Sequence, residues 1–404
     1  MGTELYSFDE ARSHLLTGAR PVSAERVPLV EAAGRVLAAD LLGRQPLPPF
    51  DHSAMDGYAV STADLSGEPP WTLPVLGEST AGKDAPRLAP GTSCRIFTGA
   101  PLPERADAVL MQEHVTRNAN AIRFEARPRP GQNVRRAGED LAGGVVAIAS
   151  GTRLSPGALA LAAMLDRAEL VVARRPRVTI LCTGDELRTA GDEPRAASIP
   201  ESNSAPLAAL ARQAGASVRV APIARDEPAA TQRAIEEGLE GTDVLLTVGG
   251  VSVGDHDLVR PALERAGVTL DFWKVAIKPG KPLAVGTSAT ARVLGLPGNP
   301  ASALVTFALF GMPLLRALQG DERPFAMALR AQLAATRKRS PDRLELVRAT
   351  LHCDGDRMVT RAHDNQSSGA ATSLASSGGL AFVPPGDAPI AAGAFVDFVR
   401  WSDL

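Results

Sequence analysis

Cysteine is scarce in this 404-residue sequence, which has only three, at positions 94, 182 and 353. Because they stand far apart and singly, they exclude a disulfide framework and a zinc site built on cysteine. The sequence also has no large excess of charge of either sign, since the formal net charge is -2. This balance gives no reason to expect nucleic acid or an anionic membrane surface as a partner. A charged substrate must therefore be bound by a local patch.

Targeting signals and long apolar runs are also missing. The N-terminal residues are acidic and amphipathic, unlike the basic and then apolar pattern of a secretion signal. The most apolar segment, residues 301–315, is short for a membrane span and contains Ser302 and Thr306. We predict that it is a core helix. Together these features predict a soluble, cytoplasmic protein with no membrane partner.

The length of the chain exceeds what one hydrophobic core supports, so several domains are expected. Helical patterns predict an elongated, helical N-terminal domain made of residues 1–44 and 141–176. Proline, glycine and short alternating runs predict an inserted β domain over residues 45–140. Strands alternate with helices over residues 177–322, which predicts an α/β domain with a mostly parallel sheet. Alternating runs over residues 323–404 predict a C-terminal β domain.

The most informative stretch is VLLTVGGVSVGDHD, at residues 244–257. Its apolar start, Val244–Val248, predicts a strand buried on both faces, and the glycines that follow predict a turn. Glycines allow a ligand to approach the backbone, and the amides of a helix start favour an anion. The aspartates would repel a bare anion, so they indicate a hard cation beside it. The alternative is that Asp255 or Asp257 only caps the helix.

Polar turns follow other strands of the predicted sheet as well, at residues 184–186, 225–227 and 296–300. Ligands of open α/β sheets bind beyond the carboxyl ends of the strands, so these turns are expected to converge. Glu186, Asp226 and Asp257 could then supply the oxygen ligands of Mg²⁺. Taken singly, each carboxylate could instead be a helix cap or a solvated charge.

A basic turn is the remaining candidate for anion binding. Lys274, Lys278 and Lys281 lie in the run DFWKVAIKPGKPLAV, where prolines and a glycine rigidify the loop. The run lacks the spacing of a Walker A loop, and residues 249–254 lack the spacing of a dinucleotide fingerprint. We predict that this turn holds phosphate or another oxyanion, whereas the alternative is a set of solvated surface charges.

The order of the motifs adds a resemblance to a known family. SAMDGYAV, RIFTGAP, RRAGED, TGDEL, GGVSVGDHD, IKPGKP and LPGNPASA follow one another between about Phe50 and Ala303. In this order they resemble the molybdopterin molybdenumtransferase (MoeA) family, to which the E domain of gephyrin is similar. The resemblance implies insertion of molybdate into the dithiolene of adenylylated molybdopterin, with loss of AMP and dependence on Mg²⁺.

The resemblance also implies an elongated homodimer with its sites in clefts between subunits. By matching motifs, the implied catalytic residues are Asp56, Thr98, Asp140, Glu186, Asp226 and Asp257. The implied substrate-binding residues are Ser252, Lys274, Lys278, Lys281, Pro297, Pro300, Arg348 and Ser368. The chain departs from the family pattern at residues 367–369, which read SSG instead of GSH, and at IPESNS, which replaces an IYDTN-like run.

Other functions remain open at this point. A molybdopterin adenylyltransferase would share the α/β fold and the ligand, but relatives of that type carry a GGTG-like turn and lack flanking domains. A non-catalytic scaffold or cofactor carrier is the alternative of another class, which the likeness to gephyrin allows. A molybdopterin adenylyltransferase and molybdoenzyme maturation proteins are the candidate partners of an insertase.

Overall fold

The structure, a computed structural model, describes residues 5–250 and 258–404. The chain starts with β1 (Leu5–Tyr6), α1 (Phe8–Leu16), β2 (Ala24–Pro28) and β3 (Leu41–Leu42). Ser7 caps α1 in a capping box with Glu10, which fixes where the helix begins. Ala11 and Leu15 on the buried face of α1 pack into the core of the α/β domain. The start of the chain therefore belongs to that core, whereas the sequence placed it with the N-terminal domain.

The inserted segment is a β domain. Its strands are β4 (His52–Ser53), β5 (Gly57–Val60), β6 (Trp71–Ser79), β7 (Ser93–Ile96), β8 (Ala108–Met111), β9 (Thr116–Asn118), β10 (Ala121–Phe124) and β11 (Val134–Arg135). The main sheet has the order β8-β5-β7-β6-β10-β9, and β4 pairs with β11. Apolar side chains such as Tyr58 and Ile122 fill one side of the sheet, and Cys94 and Ile96 fill the other. The turns after β4 and β7 carry the SAMDG and FTGAP motifs.

The chain then returns to the N-terminal domain through β12 (Val146–Ile148), α2 (Pro156–Met164) and β13 (Glu169–Ala173). β12 pairs with β3 and β13 pairs with β2, both antiparallel. This domain therefore contains strand pairs as well as helix. Residues 28–37 lie in the part that was predicted to be helical, but they form only a short 3-10 helix at Leu29–Glu31. Gly34, at a φ of +70°, is in a left-handed conformation that does not continue a right-handed helix.

The α/β domain follows. Its elements are β14 (Arg177–Cys182), β15 (Leu187–Arg188), β16 (Ile199–Pro200), α3 (Ser204–Gln213), β17 (Ser217–Val220), α4 (Pro228–Leu239), β18 (Val244–Val248), α5 (Val259–Arg265), β19 (Thr269–Val275), β20 (Ile277–Lys278), β21 (Pro282–Thr287), β22 (Arg292–Leu296), α6 (Pro300–Thr306), a π-helical turn (Phe307–Gly311) and α7 (Met312–Ala317). The sheet order is β1-β19-β21-β22-β18-β14-β17. Pairing is parallel from β22 through β18 and β14 to β17, and antiparallel between β19, β21 and β22. The prediction of a mostly parallel sheet is confirmed.

Both faces of this sheet are buried. Along β18, Leu246 faces one apolar cluster and Leu245 faces the other, because successive side chains of a strand point to opposite faces. Helix Pro300–Ala317, which combines α6, the π-helical turn and α7, is the one helix among the described residues that is long and apolar enough to cross a membrane. Since 78% of it is buried inside the protein, it packs as a core helix does.

The C-terminal domain is a closed barrel. Its elements are β23 (Leu329–Leu333), β24 (Leu344–Asp354), β25 (Arg357–Ala362), α8 (Ala371–Ser376), β26 (Gly379–Val383) and β27 (Phe395–Arg400). The sheet runs β24-β25-β23-β27-β26, and pairing of β26 with β24 closes it. β20 of the α/β domain extends the barrel by pairing in parallel with the start of β24. The barrel is thus attached to the α/β sheet through β20.

Two arginine–aspartate pairs join the N-terminal domain to the α/β domain. Arg153 Nη2 lies 2.8 Å from Asp321 Oδ2, and Arg174 Nη1 lies 2.6 Å from Asp243 Oδ2. Both aspartates are largely buried, so each carboxylate needs partners, and Asp243 is contacted by Arg177 as well as by Arg174. These pairs fix the two domains where the chain crosses between them.

Candidate functional site

The carboxyl ends of the parallel strands bring the predicted turns together. β14 and β17 end beside each other, and the turns after them exchange hydrogen bonds. The amide of Asp185 donates to Asp226 Oδ2 at 3.3 Å, and the amide of Asp226 donates to Asp185 Oδ1 at 3.2 Å. The structure thus places Asp226 against Asp185, a carboxylate to which the sequence analysis gave no role.

Glu186 lies in the same turn. A Cβ added to Gly184 would come within 2.6 Å of Glu186 Oε2, so the carboxylate folds back over that glycine. Gly184 has a φ of +151°, and its amide donates a hydrogen bond to the carbonyl of Ala224, just before the turn at residues 225–227. Glu186 and Asp226 are both exposed. Two of the predicted magnesium ligands therefore lie at one edge of the sheet and face solvent.

The turns after β18 and β22 adjoin the same edge. The amide of Gly249 donates to the carbonyl of Leu296 at 3.2 Å. Gly249 has a φ of +92°, and a Cβ there would lie only 3.0 Å from the carbonyl oxygen of Thr183, so a side chain is excluded by both conformation and space. Pro297 is buried in this turn, and Pro300 occupies the first position of α6. The predicted convergence is observed for these turns.

Ser252, Asp255, His256 and Asp257 lie outside the described residues. Within residues 5–250 and 258–404, no group of three or more His, Cys, Asp or Glu side chains is arranged to hold a metal ion. The predicted set of Glu186, Asp226 and Asp257 therefore stays a prediction.

A partly buried polar network lies below these turns, and it was not predicted from the sequence. Glu201 accepts hydrogen bonds from Cys182 Sγ at 3.4 Å, from the amide of Asn203 at 2.5 Å and from the amide of Ser204 at 2.9 Å. Burial raises the pKa of Glu201, but the hydrogen bonds from Ser204 and Asn203 outweigh it and hold the pKa below its usual value. Asn203 Nδ2 donates to the carbonyl of Gly298 at 2.9 Å. The IPESNS segment thus holds the turn before α6 in place.

The β domain contributes a second, separate pair. Asp56 Oδ1 accepts hydrogen bonds from both the amide and the hydroxyl of Thr98, each at 2.8 Å. These hydrogen bonds hold the pKa of Asp56 below its usual value. Asp140 is exposed, and its amide donates to the carbonyl of Leu47. In the described part of the chain, no hydrogen bond or ion pair joins Asp56, Thr98 or Asp140 to the strand-end turns of the same subunit.

Arg348 has the lowest exposure of the charged residues that the structure describes, because it is fully buried, with a relative exposure of 0%. Its Nη2 donates to the carbonyls of Asn365 and Ser367, at 3.3 and 2.9 Å. Its Nε and Nη1 are buried without a partner, and no described carboxylate forms an ion pair with it. Burial lowers the pKa of Arg348. The backbone carbonyl of Ser368 accepts a hydrogen bond from the amide of Ala301 at 3.1 Å, so this barrel segment contacts the start of α6.

Lys278 and Arg348 lie on opposite sides of β24, because successive side chains of a strand point to opposite faces. Lys278 Nζ lies 3.1 Å from Glu345 Oε1, and Glu345 shares the barrel-facing side of β24 with Val347. Arg348 is on the other side, with Leu346, which packs against the α/β core. Lys278 and Arg348 are therefore not brought together on one face of β24. Among the described residues, neither Lys274 nor Lys281 forms an ion pair.

Two cavities are relevant to the search for a ligand. One, of about 320 Å³, opens beside Gly184 and Asp185 and is lined also by Arg188 and Arg225. Another, of about 410 Å³, lies between α1, α7 and the barrel, and none of its lining residues is a predicted site residue. The polar turns and the segment that holds the buried Arg348 meet at the strand-end edge.

Comparison with known proteins agrees with this arrangement along the chain. The MoeA N-terminal region (domain I and II) matches residues 6–165, a probable molybdopterin binding domain matches residues 179–317, and the MoeA C-terminal region (domain IV) matches residues 330–401. The crystal structure of the molybdopterin biosynthesis moeA protein from Pyrococcus horikoshii OT3 superimposes with a TM-score of 0.86 at 28% identity, covering 98% of this chain and 100% of that one.

Relatives of known function are also similar over most of the chain. A molybdopterin molybdenumtransferase from Haemophilus influenzae is 41% identical over 322 residues, covering 79% of this chain and 79% of that protein. Molybdopterin molybdenumtransferase 2 from Mycobacterium tuberculosis is 36% identical over 390 residues, covering 94% of this chain and 95% of that protein. As its motifs predicted, this chain belongs to the molybdopterin molybdenumtransferase family, whose members are transferases of molybdenum cofactor biosynthesis.

Proposed function

We propose that this protein inserts molybdate into adenylylated molybdopterin, releases AMP and depends on Mg²⁺. The observation that carries the proposal is the buried guanidinium of Arg348, which has unpartnered N–H groups and no carboxylate beside it. A buried charge is costly unless it is paired, so this position is suited to an anion supplied from outside the chain. Its neighbours at residues 367–368 are in contact with α6, which adjoins the strand-end edge.

Molybdate fits the Arg348 segment chemically. It is a small oxyanion, and N–H donors of a guanidinium form short charge-assisted hydrogen bonds with such oxygens. The interaction gains strength in a buried site because water does not screen it there. Ser368 would contribute from the same segment, although its SSG context departs from the family pattern.

The strand-end carboxylates belong to the ligand type that Mg²⁺ prefers, and the predicted set is completed only by Asp257, which lies outside the described residues. Asp185, Glu186 and Asp226 are exposed carboxylates on adjoining turns, and Mg²⁺ prefers a few carboxylate oxygens and keeps several waters. We propose that Glu186 and Asp226, with Asp257, hold the ion. When bound, the ion would polarise phosphate oxygens of the substrate.

The chain itself need not supply a nucleophile, because an adenylate is already an activated leaving group. The task of the protein is to hold two anionic reactants close together and in a fixed orientation. Since Lys278 and Arg348 lie on opposite sides of β24, we assign molybdate to Arg348 and the anionic groups of the pterin substrate to the basic turn of Lys274, Lys278 and Lys281. Pro297 and Pro300 would shape the loop that faces the substrate.

We further propose that the active form is a cytoplasmic homodimer with shared sites. The Asp56–Thr98 pair is fixed by its hydrogen bonds, and within residues 5–250 and 258–404 no hydrogen bond or ion pair joins it to the strand-end turns of its own chain. Asp56, with Thr98 and Asp140, would therefore face the strand-end turns of the other subunit. A non-catalytic scaffold would lack turnover, and the tests below separate it from an insertase.

The first prediction concerns the metal. Asp226→Asn and Glu186→Gln should each abolish Mg²⁺-dependent release of AMP from adenylylated molybdopterin, because an amide is a much weaker ligand for Mg²⁺ than a carboxylate. Both residues are exposed, so the urea unfolding curve should be unchanged. Glu236→Gln on α4 is a matched control away from the site. Full turnover by the two site variants at ordinary Mg²⁺ would refute the metal assignment.

The second prediction concerns molybdate. Arg348→Ala removes a charge-assisted donor worth about 1.5–3 kcal/mol, so the molybdate concentration needed for half-maximal turnover should rise about ten- to a hundred-fold. Excess molybdate should restore part of the activity. Arg330→Ala, at an exposed arginine of the same barrel, should leave the requirement unchanged. A defect in Arg348→Ala that excess molybdate does not relieve would show that Arg348 serves another purpose.

The third prediction concerns the dimer. A mixed dimer of one Asp56→Ala chain and one Asp226→Ala chain places both defects in one cleft and none in the other, if the sites are shared. Each mutant homodimer should be nearly inactive, whereas the mixed dimer should recover a clear fraction of AMP release. Differential tags on the chains confirm that mixed dimers have formed. No recovery in verified mixed dimers would place Asp56 and Asp226 in the site of a single subunit.

A further inference from the structure

We propose that Glu345 is a positioning residue, which fixes the ammonium group of Lys278 for binding the anionic substrate. The inference rests on the proposed function, because it takes Lys278 as a substrate-binding group. Glu345 itself need not touch the substrate. Nothing in the sequence pattern marked it, since its partner stands in a different domain.

The geometry of the contact comes from the pairing of β20 with β24. Lys278 and Glu345 are partners in this parallel register, so their side chains lie side by side. Lys278 Nζ is 3.1 Å from Glu345 Oε1. The other carboxylate oxygen, Oε2, lies 3.4 Å from Nη2 of Arg337. The carboxylate therefore bridges a lysine of the α/β domain and an arginine of the barrel.

The two side chains of the Lys278–Glu345 ion pair differ in exposure. Only 8% of the Glu345 side chain is exposed, whereas 53% of the Lys278 side chain is exposed. A carboxylate on the barrel-facing side of β24 is costly unless it is paired, so Glu345 holds its cations firmly. Lys278 by itself would be a flexible chain that loses rotamer entropy whenever it binds a ligand. Because Glu345 already restricts the rotamers of Lys278, less rotamer entropy is lost when a ligand binds.

The charges of the cluster leave Lys278 available to a ligand. One carboxylate lies between two cations, so the three side chains carry a net positive charge. An ammonium group has three donors, and Glu345 accepts from only one of them. Arg337 keeps Glu345 paired if the ammonium group turns partly toward an anion. The arrangement suits an exposed lysine that must be oriented and still exchange partners.

A purely structural role is the competing explanation, since the same cluster also ties the barrel to the α/β domain. Two variants separate these roles. Arg337→Gln breaks only the Arg337 ion pair of this carboxylate, whereas Glu345→Gln breaks both ion pairs and so also releases Lys278. A structural role predicts similar defects in both variants, whereas a positioning role predicts a defect in substrate use for Glu345→Gln alone.

The experiment measures kcat and KM for adenylylated molybdopterin in the full-length protein, at saturating molybdate and Mg²⁺. Loss of one fixed charge-assisted contact should raise the KM of Glu345→Gln about ten-fold, with a much smaller change in kcat. Arg337→Gln should keep a KM close to that of the wild type. Glu345→Asp, which retains the charge, should recover part of the loss. Urea unfolding of each variant shows how much stability is lost.

A second readout does not depend on activity. Acylation of Lys278 by a water-soluble amine-reactive reagent, followed by mass spectrometry, should be several-fold faster in Glu345→Gln than in the wild type, because the Lys278 nitrogen is no longer held against the carboxylate and its side chain is free to reach the reagent. In Arg337→Gln the rate should stay unchanged. Equal acylation rates and equal KM values in wild type and Glu345→Gln would overturn the inference, as would the same defect in both glutamine variants.

Lys278→Gln keeps this failure distinct from failure of the proposed function. If Lys278→Gln has a raised KM while Glu345→Gln does not, Lys278 binds substrate without help from Glu345, and only the positioning role is refuted. If Lys278→Gln turns over with an unchanged KM, the assignment of Lys278 to the substrate is wrong, and the positioning role falls with it.

Discussion

The parallel pairing of β22, β18, β14 and β17 is the constraint on which the rest of the site depends. Parallel strands end at the same edge, so turns that are far apart in sequence must meet there. The strands are apolar on both sides, which leaves the turns as the place for polar chemistry. The close contacts of Gly249 with Thr183, and of Asp185 with Asp226, are direct results of this pairing. The barrel and the β domain add groups to an edge that the sheet has already built.

The barrel strand β24 has a cation on each side, Arg348 of its own and Lys278 of the adjoining β20. Along β24, Glu345 faces the barrel side and Arg348 faces the α/β side, since successive side chains alternate. Arg348 is fully buried and has no ion-pair partner among the described residues, and Lys278 is contacted by the buried carboxylate of Glu345. In the proposed reaction, two anionic reactants would be bound by separate positive groups. Such separation would matter there, because both reactants carry negative charge and repel each other.

Local patterns predicted much of this fold. The strand Val244–Val248, the core helix over residues 301–315 and the mostly parallel sheet followed from apolar runs and alternation of elements. Contacts between distant segments were not predictable in that way. The role of Glu201 depends on Cys182 and on the turn held by Asn203, and that of Glu345 depends on Lys278 in another domain. That Lys278 and Arg348 lie on opposite sides of β24 depends on the register of that strand, which no local pattern gives.

In the proposed function Arg348 binds the oxyanion, and anomalous diffraction from crystals soaked in molybdate tests this most directly. Data collected on either side of the molybdenum absorption edge locate the metal without assumptions about the protein. We expect molybdenum next to the Nε and Nη1 atoms of Arg348, beside Ser368, and no such peak in crystals of Arg348→Ala. A molybdenum peak elsewhere in the wild type that persists unchanged in Arg348→Ala would contradict it.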